Sequence, residues 1–144
     1  MPEPPAQYLM HYSLKEAQID GVAPWDDLHM DLSNVKVFRD RFPVTPGHLL
    51  FVPERDAPNN ITEAFRLAHL MGMAMVRRGE CTSFNVGINC GPEAGQTVMY
   101  PHVHLIPRRQ GDCLDPVGGV RGVIPGQANY RTSQYKNPND HYQD

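Results

Sequence analysis

The strongest constraint on the fold is one long run with helical periodicity, residues 61–79. Its apolar positions recur every three or four residues, as on the buried face of an amphipathic helix: Phe65, Ala68, Met71 or Gly72, and Met75. Asn60 before the run and Glu63 within it predict a capping box, and Gly79 predicts the stop. The sequence therefore predicts one main helix of about five turns.

Four short β-prone runs flank this helix, two before it and two after it. They cover residues 34–40, 48–53, 82–89 and 96–107. Each pair is joined by a turn rich in glycine and proline, FPVTPG in the first pair and CGPEAG in the second. Strands in pairs around one main helix indicate an α+β domain, in which an antiparallel sheet carries the helix on one face.

No repeat or low-complexity linker divides the chain, so we predict a single domain over residues 1–144. The sequence after Arg109 is rich in Gly, Pro and Asn. We expect residues 110–144 to form a C-terminal extension that wraps the surface of the domain.

Charge and cysteine usage exclude several classes of protein. The net charge of −3 gives no broad basic field, so we expect no nucleic-acid partner, although local donors suffice for a small nucleotide. The three cysteines, at positions 81, 90 and 113, form no CxxC pair. This argues against a structural metal or a disulfide framework and favours a reducing, cytoplasmic compartment. The longest apolar stretch, residues 67–76, is too short for a membrane span, and the first residues do not resemble a signal peptide.

Two histidines one residue apart, His102 and His104, lie in the last β-prone run. Alternate side chains of a strand share one face, so Tyr100, His102 and His104 are expected in a row. Three interpretations are open: a chance surface pair, an HxH metal site, or nucleophilic chemistry at phosphorus. A metal site needs a third ligand, and residues 105–110 contain no Asp or Glu.

The turn before the histidines favours phosphorus chemistry. Its sequence, NCGPEAGQT, has two glycines and a proline, and exposed backbone N–H groups in such a turn can bind an anion. Gln96 and Thr97 add side-chain donors, and Arg108 and Arg109 add positive charge just beyond the histidines. The alternative is a plain hairpin turn.

Taken together, these motifs resemble the histidine triad (HIT) family, whose signature is His-x-His-x-His followed by apolar residues. FNVGINCGPEAGQTV and HLIPRRQGD are similar to the fragile histidine triad type of dinucleoside polyphosphate hydrolase. FRDRFPVTPGHLLFVP resembles the nucleoside-pocket strands, and GGVRGVIPGQANY resembles the tail of bacterial diadenosine polyphosphate hydrolases. The resemblance covers about residues 28–130. It implies a five-stranded antiparallel sheet with one main helix, a core of about residues 28–109, and a homodimer.

The resemblance assigns catalytic roles to three residues. His102 matches the middle histidine, the nucleophile that attacks the α-phosphorus and forms a nucleotidyl-histidine. His104 matches the third histidine, which contacts phosphate oxygens. Asn89 matches an amide near the α-phosphate and the leaving group; a turn role at the end of a strand is the alternative.

The resemblance also assigns substrate-binding positions. Gly95, Gln96 and Thr97 match the phosphate-binding turn. Asp40 matches the residue that holds the ribose hydroxyls, with a simple turn role as the alternative. His48 matches a histidine that supports the triad from behind, which is compatible with an ordinary buried histidine.

Tyr100 occupies the position of the family's first histidine. The family orients its nucleophile partly through the backbone carbonyl at this position, which any residue supplies, and a phenol can replace one lost donor. Alternatively, the loss disturbs the hydrogen bonds that hold the nucleophile's tautomer, and turnover falls. We expect retained activity and count Tyr100 among the substrate-binding residues. Pro101 resembles the His-Pro-His string of galactose-1-phosphate uridylyltransferases, but their third position is glutamine and here it is His104.

The resemblance implies hydrolysis of a nucleotide at its α-phosphate, with a dinucleoside polyphosphate giving a nucleoside monophosphate. We expect no protein-bound cofactor and no metal site, with Mg²⁺ carried by the polyphosphate substrate. The alternatives are a hydrolase of nucleoside phosphoramidates or nucleotidyl conjugates, a nucleotide-binding protein with impaired catalysis, and an HxH metalloprotein.

Overall fold

The structure is a computed structural model that describes residues 13–140. The first twelve residues, where we expect no signal peptide, lie outside the described part, as do residues 141–144. The chain divides into two compact units, one ending at Arg109 and the other beginning at Gln110. None of the helices within residues 13–140 is long and apolar enough to cross a membrane. Cys81, Cys90 and Cys113 are free thiols.

The first unit is built on one five-stranded sheet with strand order β1-β2-β3-β5-β4. Every neighbouring pair is antiparallel, which confirms the predicted α+β class. The strands are β1 (Leu28–Asp31), β2 (Val35–Arg39), β3 (Leu49–Pro53), β4 (Ser83–Ile88) and β5 (Val103–Arg108). Strand β1 is absent from the four predicted runs because all four of its side chains are exposed, so it has no alternating apolar pattern.

The main helix, α2 (Pro58–Arg77), packs on one face of the sheet, as predicted. Its buried positions are Ala64, Ala68, Gly72 and Met75. Gly72 lies against strand β4 so closely that a Cβ there would meet the Phe84 ring at 2.5 Å. The predicted stop is confirmed: Gly79 has φ 75°, its N–H donates to the Val76 carbonyl, and the Glu80 N–H donates to the Met75 carbonyl. This is a Schellman C-cap.

The predicted capping box at the start of α2 is wrong. The helix begins at Pro58, three residues earlier than expected, and Ala57 occupies the N-cap position without a side-chain bond. Proline suits this first turn because it needs no N–H partner there. Asn60 instead accepts from the Arg55 N–H at 2.7 Å and donates to the Asn34 carbonyl at 2.9 Å. It therefore fastens the loop before the helix to the β1–β2 turn.

A second, smaller core lies on the opposite face of the sheet. Helix α1 (Leu14–Ile19) begins after an N-cap at Ser13, whose Oγ accepts from the Glu16 N–H. The core consists of buried residues from α1, the following loop, β2 and β3, with one residue from the segment before β5: Leu14, Ala17, Ala23, Phe38, Leu50, Val52 and Tyr100. The side chains of Leu49 and Phe51, which alternate with those of Leu50 and Val52, belong to the core under α2.

The predicted strand 96–107 is wrong in its first half. Strand β5 begins only at Val103, and residues 96–102 form an irregular segment that passes through Pro101. Pro101 lacks a backbone N–H, and ladder pairing begins two residues after it, at Val103. Tyr100 still lies on the side of the sheet expected for it, because it packs with Leu50, the residue that pairs with His104.

The second unit, residues 110–140, contains two short 3₁₀ turns, Gly119–Val123 and Pro138–Asp140. Its side chains are organised around Arg121, whose guanidinium donates to the carbonyls of Gln127 and Ala128. The same guanidinium lies 5.1 Å from the Tyr130 ring centroid and 5.6 Å from that of Tyr135. Cation–π contacts and hydrogen bonds therefore hold this unit together.

Candidate active site

The geometry of His102 defines its tautomer. Its ring is buried, and Nδ1 lies 2.8 Å from the backbone carbonyl oxygen of Tyr100. A carbonyl can only accept, so Nδ1 carries the proton and Nε2 carries a lone pair. A neutral imidazole with a free Nε2 lone pair is a nucleophile.

Nε2 of His104 is a hydrogen-bond donor, whereas Nε2 of His102 carries a lone pair. The Val44 N–H donates to Nδ1 of His48 at 3.2 Å, so the proton of His48 resides on Nε2. That N–H donates to Nδ1 of His104 at 2.9 Å. His104 therefore carries its own proton on Nε2, where it serves as a hydrogen-bond donor.

Burial keeps these three imidazoles neutral. It lowers the pKa of His48, His102 and His104, and the neighbouring ring of His48 lowers that of His104 further. Asp40 opposes the lowering of the pKa in each case, and the bond to the Tyr100 carbonyl opposes it in His102. Near pH 7 the site therefore holds an uncharged nucleophile beside an uncharged donor.

Tyr100 takes part in the site through its backbone and not through its phenol. Its side chain is 1% exposed, and its hydroxyl donates to the Pro53 carbonyl at 2.7 Å. Burial raises the pKa of this phenol far above its usual value. The phenol does not face the cavity at His102, so it does not replace a donor of the absent imidazole.

The two histidines open onto a cavity of about 520 Å³. Asp40 and Thr97 line it with polar groups, and Trp25 and Leu50 line it with apolar surface. The carboxylate of Asp40 accepts from the Phe42 N–H at 2.8 Å through Oδ1. Its Oδ2 lies 3.5 Å from Nε2 of His48.

The glycine-rich turn is held by Gln96. Its buried side chain accepts from the Gly91 N–H at 2.8 Å and donates to the Val98 carbonyl at 3.0 Å. The turn has φ 97° at Gly91 and φ 91° at Gly95, a backbone conformation that favours glycine. Gln96 thus stabilises the turn from inside.

The structure divides the predicted site residues between two cavities. Asp40, Thr97, His102 and His104 line the cavity described above, and His48 supports them from behind. Asn89 and Gln96 line a second cavity of about 410 Å³, together with Asp56, whose pKa is raised by burial. Gly95 adjoins Asn89, since a Cβ on this glycine would lie 4.0 Å from Nδ2 of that amide.

Trp25 is a site residue that the sequence analysis missed. Its ring centroid lies 4.8 Å from that of His102, with the two planes inclined at 55°. The sequence offered one signal for it: Trp25 is the single tryptophan of the chain, in the segment GVAPWDDL. Nothing local indicated that this loop reaches the histidines, which are more than seventy residues away in sequence.

Among residues 13–140, one set of three side chains has the proximity of a metal site. The ligand atoms of Asp40, His48 and His104 lie within 4.8 Å of one another. Two of these atoms already share a hydrogen bond, because His48 donates to His104. In the tautomer described above, Nε2 of His48 carries the proton of this bond, so the two imidazoles form a hydrogen-bonded relay beside the Asp40 carboxylate.

The fold is an α+β domain in which one helix covers an antiparallel sheet. Its candidate active site is a pair of histidines beside a glycine-rich turn. A family model described as HIT domain matches residues 26–111. The chain belongs to the histidine triad (HIT) family.

Individual relatives agree with this assignment. The chain is 31% identical over 121 residues to a nitrilase and fragile histidine triad fusion protein from Caenorhabditis elegans, covering 75% of this chain and 28% of the relative. It is 34% identical over 77 residues to a bis(5'-nucleosyl)-tetraphosphatase from Schizosaccharomyces pombe, covering 49% and 42%. A zinc-bound histidine triad family protein from Mycobacterium smegmatis superposes with a TM-score of 0.57 at 30% identity, covering 69% of this chain and 76% of the other. The chain thus spans less than half the length of these two curated relatives.

Proposed function

We propose that this chain hydrolyses a nucleotide at its α-phosphorus through a nucleotidyl-His102 intermediate, with a dinucleoside polyphosphate as the substrate. One observation carries the proposal: a lone pair on Nε2 of His102 and an N–H on Nε2 of His104 serve the same cavity. The names of the relatives support the substrate class, because one is a bis(5'-nucleosyl)-tetraphosphatase.

The first chemical step forms one bond and breaks another. Nε2 of His102 attacks the α-phosphorus, the bond to the bridging oxygen breaks, and the remaining nucleotide leaves as an anion. The imidazole then carries a positive charge, since Nδ1 keeps its proton. The Tyr100 carbonyl at 2.8 Å accepts from that N–H and stabilises the charge, because a charge-assisted hydrogen bond is stronger than a neutral one.

Water completes the reaction. Its oxygen bonds to the same phosphorus, the N–P bond breaks, and the electron pair returns to Nε2 of His102. The proton of the water passes to solvent, and a nucleoside monophosphate is released. His104 donates to a phosphate oxygen in both steps, where negative charge accumulates.

Four further predicted residues are assigned to the substrate in this proposal. Asp40 faces the cavity with a carboxylate that can accept from both ribose hydroxyls, and Thr97 offers a hydroxyl to phosphate. Asn89 and Gly95 are assigned to the leaving-group side, as the family resemblance implies. Mg²⁺ would accompany the polyphosphate.

The proposal includes a homodimer in the cytoplasm. Strand β4 is an edge strand of the sheet, bonded in the described part of the chain to β5 alone. An edge strand of this kind can pair with the same strand of a second copy. The free cysteines are compatible with a reducing compartment.

The decisive experiment measures AMP release from diadenosine polyphosphate with Mg²⁺, for the wild type and His102→Ala. We expect release by the wild type and loss of at least about a thousandfold in the variant, as for removal of a nucleophile. His69→Ala, an exposed histidine on α2, is the matched control and should retain activity. Equal release by His102→Ala would contradict the mechanism.

The other outcomes of this experiment identify the alternatives. AMP binding without release would direct the assay to a nucleoside phosphoramidate or a nucleotidyl conjugate. Failure with those substrates as well would indicate a nucleotide-binding protein without turnover. Stoichiometric zinc or iron that disappears in His102→Ala would indicate a metalloprotein and contradict the nucleophile.

A further inference from the structure

We propose that Trp25 is a positioning residue for the His102 imidazole. In this proposal the Tyr100 side chain anchors the loop that carries Trp25. The inference deepens the proposed function and rests on it for its kinetic consequences. It gives a structural role to the Tyr100 phenol, which takes no part in the proposed catalytic steps.

The His102 ring is restricted by the Tyr100 carbonyl and by the neighbouring rings of Trp25 and His104, the latter at a centroid distance of 5.2 Å. The Tyr100 carbonyl holds Nδ1 at 2.8 Å, and the indole of Trp25 packs on the ring at a centroid distance of 4.8 Å. A single hydrogen bond leaves an imidazole free to swing about that bond. The indole, inclined at 55° to the imidazole, limits this freedom, because rotation of the imidazole would bring the two rings into closer contact.

Trp25 reaches His102 from the loop that follows α1, and this loop is tied down at both ends. At its start, the N–H groups of Val22 and Ala23 donate to the Ala17 carbonyl at 2.8 and 3.1 Å. At its end, the Asp27 carbonyl accepts from the Arg39 N–H at 2.9 Å. The Asp26–Arg41 and Asp27–Arg39 ion pairs are exposed and contribute little.

The start of this segment is anchored by the second core, in which Tyr100 has the largest buried side chain. Leu14 and Ala17 of α1 and Ala23 of the loop are buried in the same cluster, and Trp25 packs against it. The hydroxyl of Tyr100 is satisfied by the Pro53 carbonyl, so the whole ring can be buried without an unpaired polar atom. A histidine there would be smaller, would carry two polar nitrogens and would fill this cluster poorly.

Tyr100 therefore acts on His102 twice. Its carbonyl accepts from Nδ1 directly, and its ring supports the segment whose indole contacts the imidazole. The substitution that removes the first histidine of the triad thus provides an anchor for a second contact to the nucleophile.

The test compares Trp25→Ala, Trp25→Phe and Tyr100→His with the wild type. In Trp25→Ala we expect kcat for AMP release to fall at least about tenfold with KM changed less than about threefold, because a misaligned nucleophile slows chemistry. Trp25→Phe keeps an aromatic ring on the imidazole and should restore kcat to within about threefold of the wild type. A rise in KM alone would overturn the proposal, since Trp25 would then be a wall of the substrate site.

Two measurements need no turnover. Because Trp25 is the single tryptophan, acrylamide quenching of its fluorescence reports the exposure of the loop. We expect Tyr100→His to raise the quenching constant about twofold or more, while Ile19→Ala, an exposed position of α1, leaves it unchanged. Unchanged quenching in Tyr100→His would refute the anchoring role.

The ¹H–¹⁵N spectra of the histidine rings test the positioning role directly. His102 should show the Nδ1–H tautomer in the wild type and a mixture of tautomers in Trp25→Ala. A single unchanged tautomer in that variant would refute the positioning role. If the wild type lacks hydrolysis but these spectra respond as expected, the proposed function fails and the positioning inference stands.

Discussion

The Nδ1 atom of His102 lies 2.8 Å from the backbone carbonyl oxygen of Tyr100, two residues earlier in the chain. The bond uses an atom that every residue possesses, so the change from histidine to tyrosine leaves it intact. The phenol faces away, toward Pro53, and takes its place in the second core. The departure from the triad signature thus affects packing more than the orientation of the nucleophile.

Tyr100→Phe separates the phenol from the carbonyl. We expect it to lower the free energy of unfolding by about 1–3 kcal/mol, because it removes a buried hydrogen bond and leaves the Pro53 carbonyl without this donor. The rate of AMP release should stay within about threefold of the wild type, since the carbonyl is unchanged. Urea unfolding and a steady-state assay measure the two quantities. Tyr130→Phe, at an exposed tyrosine, is the control and should change neither the stability nor the rate. A loss of activity without loss of stability in Tyr100→Phe would give the hydroxyl a catalytic role.

His48→Ala tests the relay behind His104. Without the donor at 2.9 Å, the His104 ring loses the partner that fixes its proton on Nε2. We expect kcat to fall about tenfold to a hundredfold with a smaller change in the affinity for AMP. The steady-state assay is paired with calorimetric AMP binding, with His69→Ala as the control for loss of an imidazole. Unchanged kcat would show that His104 needs no support from His48.

Acidification should weaken the fold through the imidazoles of His48, His102 and His104. Burial lowers the pKa of His48, His102 and His104 in the folded state below the ordinary value of 6.5, so the unfolded chain binds protons first as the pH falls. Their contribution to stability is complete above about pH 6.5 and is lost as the pH drops through the folded pKa values.

Urea unfolding of the wild type at pH 7.5 and pH 5 measures this loss. His48→Gln, which replaces one titrating group by a neutral amide, should show a smaller difference between the two pH values. A free energy of unfolding that rises on acidification would contradict the lowered pKa values of these histidines.

Gly72→Ala tests the closest contact between α2 and the sheet. A Cβ at this position would lie 2.5 Å from the Phe84 ring, so the helix or the ring must move. We expect the free energy of unfolding to fall by about 1–3 kcal/mol, despite the better helix propensity of alanine. Gly87→Ala is the matched control, because nothing lies within 4 Å of the added Cβ. The free energy of unfolding of this variant should not fall. A stabilised Gly72→Ala protein would refute the tight packing of helix on strand.

Much of the fold was predictable because its signals are local. The runs that became β2, β3 and β4 combine apolar residues with turn residues at their ends, and the buried face of α2 repeats at helical spacing. The start of α2 was mispredicted because Asn60 is equally suited to bridging two loops, and that role depends on Asn34, a residue distant in sequence. Strand β1 escaped prediction because exposed side chains leave no periodic pattern.

The sequence alone determined the α+β class and the residues around which a histidine site can form. Both depend on the order and spacing of residues along the chain, and alternation or helical repeat converts that spacing directly into faces. The tertiary structure decided the rest. It set the proton of His102 through a carbonyl, set that of His104 through His48 and Val44, buried the Tyr100 phenol, and brought Trp25 onto His102. Tautomers and pKa values depend on which distant groups are within hydrogen-bonding distance and on how much water is excluded, and only the folded chain determines either.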